Sequence, residues 1–225
     1  MNIILLDSLL KNELKYIKTF NKVFFLPNGI SDQISDEEFQ SSCQLKYSDP
    51  KKINILFLSH MMKSKGFDIV LELAEKLKNE DLHFHFAGNW KNDNDESFFY
   101  EFIEKNSLSD SITYHGFVAG DAKKLLFSKS HILAYPSRED AFPLTVLESL
   151  SFGLPVISSS VGAISSIVND KCGKTVHNIN DYKDCFSLSY KDFLNISSAI
   201  SCRNEFQKKY SINTFESRFI GILKN

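Results

Sequence analysis

The chain has 225 residues, of which 43% are hydrophobic and 24% are charged, and its formal net charge at pH 7 is −2. This length allows one large domain or two small ones, and a chain without a basic excess is not typical of nucleic-acid-binding domains. No apolar stretch reaches the roughly 18 residues that a helix needs to span a bilayer, so any membrane association would be peripheral.

The N-terminal part predicts two extended segments and one helix. Ile3–Leu6 reads as a strand and Ser8–Lys18 as a helix, and Val23–Leu26 is another extended run that ends at Pro27-Asn28-Gly29. The next segment, Ser31–Pro50, is polar and has few helix or strand signals. We therefore expect a loop or flexible connection there.

From residue 53 onward, apolar runs alternate with amphipathic segments. The predicted strands are Ile53–Leu58, Leu82–Ala87, Ile112–His115, His131–Tyr135, Val156–Ser159 and a possible edge strand at Lys174–His177. The predicted helices are Phe67–Lys78, Glu96–Glu104, Ala122–Ser128, Phe142–Phe152 and Ala163–Val168, with further helix over residues 181–223. This alternation predicts an α/β fold, with a Rossmann-like parallel sheet covered by helices on both faces.

Neither the four cysteines nor the six histidines show the spacing of a metal site. The cysteines, at positions 43, 172, 185 and 202, are far apart, which favours reduced thiols over a disulfide framework or a zinc site. His83 and His85 alternate on one predicted strand, and a single pair of ligands makes a weak site. The sequence therefore predicts no metal.

Ligands of parallel α/β sheets bind outside the carboxyl ends of the strands. The residues that follow the five main predicted strands are polar, cationic or small: Ser59 to Gly66, Gly88 to Trp90, Gly116 to Val118, Ser137 to Asp140, and Ser158 to Gly162. We therefore expect the binding site at this edge of the sheet, with Lys65, Gly66 and Gly88 among the residues that line it.

The predicted helix over residues 142–152 has Pro143 in its first turn, a position that suits proline because its missing N–H is not needed there. The free N–H groups of residues 144–146 and the helix dipole then form a site for an anion. Three cations after the first and fourth predicted strands could meet the same phosphates: Lys65, His60 and Arg138.

Two carboxylates flank this helix start. Glu148, in the second turn, could accept two hydrogen bonds from a vicinal diol such as a ribose, and Asp140 could accept bonds from the hydroxyls of a second sugar. Phosphates between two polyols describe a nucleotide-sugar. Simpler alternatives remain open at this point: Asp140 could cap the helix, Glu148 could be an ordinary solvated residue, and Lys65 could be a surface lysine.

Four segments occur in an order that resembles one enzyme family. They are Pro27-Asn28-Gly29-Ile30, Ser59–Gly66, Tyr114–Val118, and Asp140–Glu148 followed by residues 149–157. Together they resemble the C-terminal, donor-binding half of GT-B glycosyltransferases, in particular the retaining family 4. The second segment looks like the family's Gly-Arg-Leu-x-x-x-Lys-Gly loop, the third like its base-binding loop, and the fourth like its Glu-x7-Glu signature.

The resemblance implies a role for each matching residue. Lys65 would bind the donor diphosphate, Glu148 would hold the ribose, and Val118 would lie near the nucleobase. The backbone would contact the sugar and the phosphates at Phe142, Pro143, Leu144, Thr145 and Val146. The family transfers its sugar with retention and without a metal, so a nucleotide-diphosphate sugar is expected as the donor substrate, with no separate cofactor.

Two matching positions depart from the family pattern. Asp140 stands where the signature has its first Glu, with Glu139 beside it as a possible substitute. His60 stands where the loop has Arg, and a histidine is only weakly cationic at neutral pH. Arg138 or Lys63 could supply the lost charge.

The family's acceptor site lies on a separate N-terminal Rossmann-like domain, for which this chain has no room. Residues 1–22 resemble the last strand and helix of that domain, residues 23–210 the nucleotide-sugar-binding domain, and residues 211–225 the C-terminal crossover helix. The resemblance therefore implies a truncated product, or one subunit of a split enzyme with a separate acceptor-domain partner.

The resemblance thus implies half of a cytoplasmic hexosyl-type glycosyltransferase that serves a glycan or lipid-linked acceptor, with at most peripheral contact at the inner membrane face. The alternative is a catalytically silent nucleotide-binding or interaction module. A nucleotide-sugar epimerase of the same architecture also stays open. A nucleotide-dependent dehydrogenase is disfavoured, since no Gly-x-Gly-x-x-Gly follows any predicted strand.

Overall fold

Branched and aromatic side chains form the strands, in keeping with their preference for a pleated backbone. The computed structural model describes residues 2–8, 22–48 and 52–224. The strands are β1 (Asn2–Leu5), β2 (Lys22–Phe25), β3 (Ile53–Leu58), β4 (Leu82–Ala87), β5 (Ile112–Tyr114), β6 (Ile132–Tyr135), β7 (Val156–Ser159) and β8 (Gly173–Val176). The helices are α1 (Asp36–Ser48), α2 (Phe67–Lys76), α3 (Asp93–Lys105), α4 (Gly120–Lys129), α5 (Leu144–Ser151), α6 (Ile164–Ile167), α7 (Tyr182–Ser189), α8 (Ile196–Lys209) and α9 (Ile212–Leu223).

Six of these strands form one parallel sheet in the order β5-β4-β3-β6-β7-β8, so the predicted α/β architecture is confirmed. β3 and β6 pair through Ile55 with Ile132 and Leu56 with Leu133. From this pair the sheet extends one way through β4 and β5 and the other way through β7 and β8. Ligands of open α/β sheets bind outside the carboxyl ends of the strands at such a reversal of strand order. The loops after β3 and β6 therefore meet at the expected binding edge.

Apolar side chains pack on both faces of the sheet, because successive residues of a strand point to opposite faces. In β3, the fully buried Ile55 and Phe57 face the core formed with α2, α3 and α7. The fully buried Leu56 faces the second core, formed with α1, α4, α5 and α8. Each such side chain contributes roughly 1.5–3 kcal/mol to folding, and the two cores together hold the strand ends in place.

One expectation is wrong: the polar segment Ser31–Pro50 is not a loop, since it contains α1. The helix starts with a capping box, in which the Ser35 N–H donates to the Glu38 carboxylate (3.0 Å) and the Glu38 N–H donates to Ser35 Oγ (3.2 Å). Phe39 and Cys43, one turn apart, are buried in the core. The buried face is narrow, so the polar composition of the segment concealed the helix.

A buried arginine fastens the segment in front of α1. The Arg203 side chain of α8 is only 5% exposed and donates to both carboxylate oxygens of Asp32, at 3.1 and 2.9 Å. It also donates to Asp36 Oδ1 from Nε (3.0 Å) and from Nη2 (2.7 Å). Two carbonyl oxygens complete the set, those of Ile34 (3.1 Å) and Ser151 (2.6 Å). Residues 32–36 are thereby joined to α8 and to the end of α5.

The remaining elements lie close to their predicted bounds, and β8 is the expected edge strand. The predicted helix start at Phe142 is too early, because α5 begins at Leu144. The predicted helix Ser8–Lys18 falls mostly on residues 9–21, outside the described residues. β1 and β2 form a separate parallel pair, and the four cysteines are free thiols. Within the described ranges, no helix has the length and apolar character that a membrane span requires.

A row of hydrogen-bonded polar side chains lies across β3, β4 and β5. Asn54 Nδ2 donates to the Lys129 carbonyl (3.1 Å), His85 Nε2 lies 3.2 Å from Asn54 Oδ1, and His85 Nδ1 lies 3.0 Å from His115 Nε2. Burial, followed by neighbouring positive groups, lowers the pKa of His85 to about 4. Burial, followed by the charge of Lys46, likewise lowers the pKa of His131 to about 4. These histidines are therefore neutral at pH 7 and form part of the packing.

Candidate functional site

Glycine allows the loops at the binding edge to approach each other closely. Gly66, after β3, has φ +87°, and a Cβ there would lie 2.1 Å from the Pro136 carbonyl oxygen of the loop after β6. Gly162, after β7, has φ +54°, and a Cβ there would lie 2.1 Å from the Asp140 carbonyl oxygen. The Ala163 N–H donates to the Ala141 carbonyl in the same region (2.9 Å). Three strand-end loops therefore converge around residues 136–141.

The contact between Lys65 and Asp140 forms the centre of this region. The Lys65 ammonium donates to the Glu139 carbonyl oxygen (2.6 Å) and to Asp140 Oδ2 (3.1 Å), and the Tyr135 hydroxyl donates to the same carboxylate oxygen (2.8 Å). The Lys65 and Asp140 side chains are 23% and 15% exposed. Burial, then the nearby Asp140 charge, raises the pKa of Tyr135 well above its usual range. Tyr135 is therefore a fixed hydrogen-bond donor to Asp140.

The start of α5 is open beside this contact. Its cap position is Pro143, which provides no side-chain hydrogen bond to the helix, so Asp140 is not the cap. The Val146 N–H donates to the Pro143 carbonyl (3.2 Å). Within residues 52–224, the N–H groups of Leu144 and Thr145 have no backbone or side-chain acceptor. Two amides, and not the predicted three, are thus available to an anion, together with the positive end of the helix dipole.

Glu148 lies one turn further along α5 and is not an ordinary solvated residue. Its Oε1 accepts a hydrogen bond from Lys123 Nζ of α4 (2.7 Å), and the two side chains are 18% and 28% exposed. Both line a cavity of about 290 Å³, together with Gln33, Phe117, Val118, Ala119, Gly120, Lys124, Phe127 and Phe152. The structure therefore brings two of the predicted site residues, Glu148 and Val118, into one cavity.

The other predicted cations make different contacts. Arg138 binds both carboxylate oxygens of Asp68 (2.9 Å each) and also donates to the Lys63 carbonyl oxygen. The Lys63 ammonium lies 4.3 Å from the centre of the Phe98 ring, a cation–π contact. His60 is exposed. Arg138 and Lys63 are thus held by α2 and α3, and phosphate contacts from these three residues stay predictions.

Gly88 joins the ends of three strands. Its φ is +146°, and a Cβ there would lie 1.7 Å from the Ser59 carbonyl oxygen, which excludes any side chain. Its N–H donates to the Gly116 carbonyl (2.8 Å), and its carbonyl accepts from the Tyr114 hydroxyl (2.8 Å). The structure explains this glycine by packing, and its predicted ligand contact stays a prediction.

Sequence reasoning missed Lys123, Gln33 and Tyr135. A signal for Lys123 was present, because the first turn of a helix favours carboxylates over cations and a lysine near the start of α4 needs a partner. Gln33 lies in the segment that the sequence predicts to be a loop. The sequence predicts a strand at Tyr135 and gives no indication that its hydroxyl reaches Asp140.

A family model described as "Glycosyl transferases group 1" matches residues 43–185 of this chain. That range runs from α1 into α7 and contains Lys65, Asp140 and Glu148.

Curated relatives extend the similarity over most of the chain. It is 25% identical over 202 residues to a 41.2 kDa protein in the cps region of Klebsiella pneumoniae, covering 87% of this chain and 54% of that protein. It is 22% identical over 215 residues to the O-antigen biosynthesis glycosyltransferase WclY of Escherichia coli, covering 91% of this chain and 58% of WclY. The chain thus spans about half the length of these relatives.

Solved structures show the same fold at lower identity. A crystal structure of S. aureus TarM that holds UDP and α-GlcNAc-glycerol is similar with a TM-score of 0.77 and 18% identity, and the match covers 100% of this chain and 44% of that one. The parallel six-stranded sheet with its flanking helices therefore matches GT-B glycosyltransferase structures.

Proposed function

The chain belongs to the glycosyl transferases group 1 family, and from this premise we propose that it is the C-terminal, donor-binding half of a retaining GT-B glycosyltransferase. It binds a nucleotide-diphosphate sugar and serves transfer of a hexosyl group without a metal. The observation that carries the proposal is the Lys65–Asp140 contact at the open start of α5, with Glu148 in the cavity one turn away.

Each part of the donor has a matching group in this region. Lys65 and the free amides of Leu144 and Thr145 bind the diphosphate, because an ammonium and a helix start both favour anions. Glu148 accepts from the ribose, and the base enters the cavity towards Val118. Asp140 accepts from hydroxyls of the transferred sugar. As the diphosphate leaves, Lys65 and the helix start stabilise its developing negative charge, which is usually a large term in catalysis.

The acceptor half is proposed to lie on a separate Rossmann-like domain. Two features support this: the chain spans about half the length of its relatives, and several large apolar side chains of β1, β2 and α9 are exposed. These are Ile4 (45%), Phe25 (42%), Phe219 (38%), Ile220 (51%) and Leu223 (68%). We propose that these side chains contact the acceptor domain at the cytoplasmic face of the membrane. The names of the two bacterial relatives favour a polysaccharide or lipid-linked glycan as acceptor.

Nucleotide binding is the direct test. Isothermal titration with UDP, GDP and ADP, and with their sugars, should show binding of at least one. Lys65→Met and Glu148→Gln should each weaken that binding by about tenfold or more, since each removes a charge-assisted contact. Two residues of α2 provide matched controls, Lys76→Met and Glu72→Gln, because both side chains are held by α7. Absence of binding at millimolar concentration for every nucleotide would refute the proposal.

Transfer is tested separately from binding. With the acceptor domain supplied as a second chain, sugar transfer should require both chains, and NMR of the product should show a retained anomeric configuration. Nucleotide binding with no transfer under these conditions would instead support the catalytically silent binding module, for which the exposed apolar surface would serve only to recruit a partner.

A further inference from the structure

The ion pair between Lys123 and Glu148 lies in the wall of the proposed nucleoside cavity, which Lys124 also lines. It joins α4 to α5 at 2.7 Å, and both side chains are less than one-third exposed. The inference drawn from it rests on the proposed function, because it concerns the same nucleotide site. None of the motifs in the sequence includes Lys123.

The position of Lys123 on its helix is unfavourable without a partner. It lies in the first turns of α4, whose cap residue Ala119 supplies no side-chain hydrogen bond. The helix start carries partial positive charge and disfavours a cation. Asp121 in the same first turn offsets part of this repulsion, and Glu148 accepts from the ammonium and holds it at the cavity wall. Removal of Lys123 would therefore leave the Glu148 carboxylate without its counter-charge inside a partly closed site.

The two groups together offer complementary hydrogen-bonding capacity. A carboxylate accepts through about four lone-pair positions, and an ammonium has three donor hydrogens. After the 2.7 Å bond between them, each retains capacity for a ligand. A hydroxyl group both donates and accepts, so one ribose hydroxyl can donate to Glu148 and accept from Lys123 at the same time.

We propose that Lys123 is a specificity-determining residue of the donor site: with Glu148 it forms a donor–acceptor pair that reads the ribose 2′ hydroxyl and selects ribonucleotides over 2′-deoxyribonucleotides. A 2′-deoxy nucleotide loses the contacts to both groups of the pair. Without Lys123, it loses only the contact to Glu148. The preference for the ribonucleotide should therefore be large in the unaltered chain and smaller when Lys123 is replaced.

A purely structural role of the ion pair gives a different expectation. Ion pairs near a protein surface contribute roughly 0–1 kcal/mol to stability. If Lys123 only links α4 to α5, its replacement changes the affinities for the two nucleotides by the same factor. The ratio of the two affinities separates these roles, and stability alone does not.

The test uses the whole chain and the nucleoside diphosphate that binds most tightly among UDP, GDP and ADP, together with its 2′-deoxy counterpart. Titration calorimetry gives the ratio of the two dissociation constants for the unaltered chain, Lys123→Met, Lys123→Arg and Lys129→Met. We expect Lys123→Met to reduce the ratio by about tenfold, the value of one charge-assisted hydrogen bond. Lys123→Arg should keep most of the ratio, because it keeps a cationic donor. Lys129→Met removes an exposed cation from the last turn of the same helix and should leave the ratio unchanged.

The outcomes distinguish the two proposals. If the unaltered chain binds a nucleotide in a Glu148-dependent manner and Lys123→Met keeps the same ratio, the inference is overturned and the donor site stands. If the unaltered chain binds no nucleotide, the proposed function itself fails. Circular dichroism of each variant shows that it is folded, and should Lys123→Met not fold, Lys123→Gln provides the same comparison.

Discussion

Replacement of Arg203 by methionine tests the way in which α1 is held to the rest of the domain. The arginine joins Asp32 and Asp36 to the carbonyl oxygens of Ile34 and Ser151. Methionine fills part of the volume but donates no hydrogen bond. The segment in front of α1 should therefore loosen, and the domain should lose stability.

The magnitude follows from which acceptors are left without donors. The carbonyl oxygens of Ile34 and Ser151 are bonded in buried surroundings, and each lost bond costs about 1–3 kcal/mol. The side chains of Asp32 and Asp36 are 37% and 68% exposed, so water largely replaces the arginine there, and their small contribution is left out of the total. We expect a loss of about 3 kcal/mol in the free energy of unfolding, which lies at the lower end for breaking a buried ion pair.

Urea denaturation at pH 7, followed by circular dichroism, measures this loss. Arg218→Met is the matched control, since Arg218 is exposed on α9 and donates to one carbonyl oxygen, that of Lys209; its effect should stay within about 0.5 kcal/mol. A loss below about 1 kcal/mol for Arg203→Met would refute the reasoning, because two buried carbonyls alone require more than that.

The loss of stability caused by Arg203→Met should also depend on pH. The hydrogen bond from Arg203, followed by its charge, holds the pKa of Asp36 below its ordinary value of 3.8. A carboxyl whose pKa is lowered on folding stabilises the folded state above the unfolded pKa and ceases to do so as the pH falls through the folded pKa. The difference in stability between the unaltered chain and Arg203→Met should therefore narrow below pH 3.8.

Two further predictions concern a glycine and a histidine. Gly88→Ala should destabilise the domain far more than Gly116→Ala in thermal melts. A Cβ at Gly88 would lie 1.7 Å from the Ser59 carbonyl oxygen, whereas a Cβ at Gly116 (φ +66°) meets nothing within 4 Å. Similar losses of about 1–2 kcal/mol for both variants would contradict the packing assigned to Gly88. The free energy of unfolding should fall as the pH decreases from 6.5 towards about 4, since the unfolded chain binds a proton that the buried His131 excludes. His131→Gln should reduce this dependence in urea denaturation at pH 7 and pH 5 and leave the part that His85 causes. An unchanged slope would show that His131 does not contribute to it.

The strand pattern of the sheet could be predicted because its signal is local. Apolar runs such as Ile53–Leu58 and Val156–Ser159 need only their own residues to be recognised, and both have the predicted bounds. The alternation of strands and helices then predicts the edge of the sheet at which a ligand binds. The sequence does not predict α1, because this helix depends on a narrow apolar face and on an arginine far along the chain, Arg203.

The candidate site was predictable in part for the same reason. Lys65, Asp140 and Glu148 follow or begin recognisable elements, so their location at one edge follows from topology. Their individual partners do not. The contacts of Arg138 with Asp68 and of Glu148 with Lys123 depend on how neighbouring helices pack, which no local pattern contains.

The pairing of β3 with β6 also bears on the order of folding. Lys65 and Asp140 are 75 positions apart in the chain, and they meet only when these two strands are adjacent. Closing a loop of this length costs chain entropy before any contact compensates for it, so such pairings form slowly compared with helices and local turns. The phosphate end of the site therefore forms only when β3 and β6 have paired. A ligand that binds there stabilises the completed sheet and not its partly folded precursors, so nucleotide binding during refolding reports the moment at which the two halves of the sheet join.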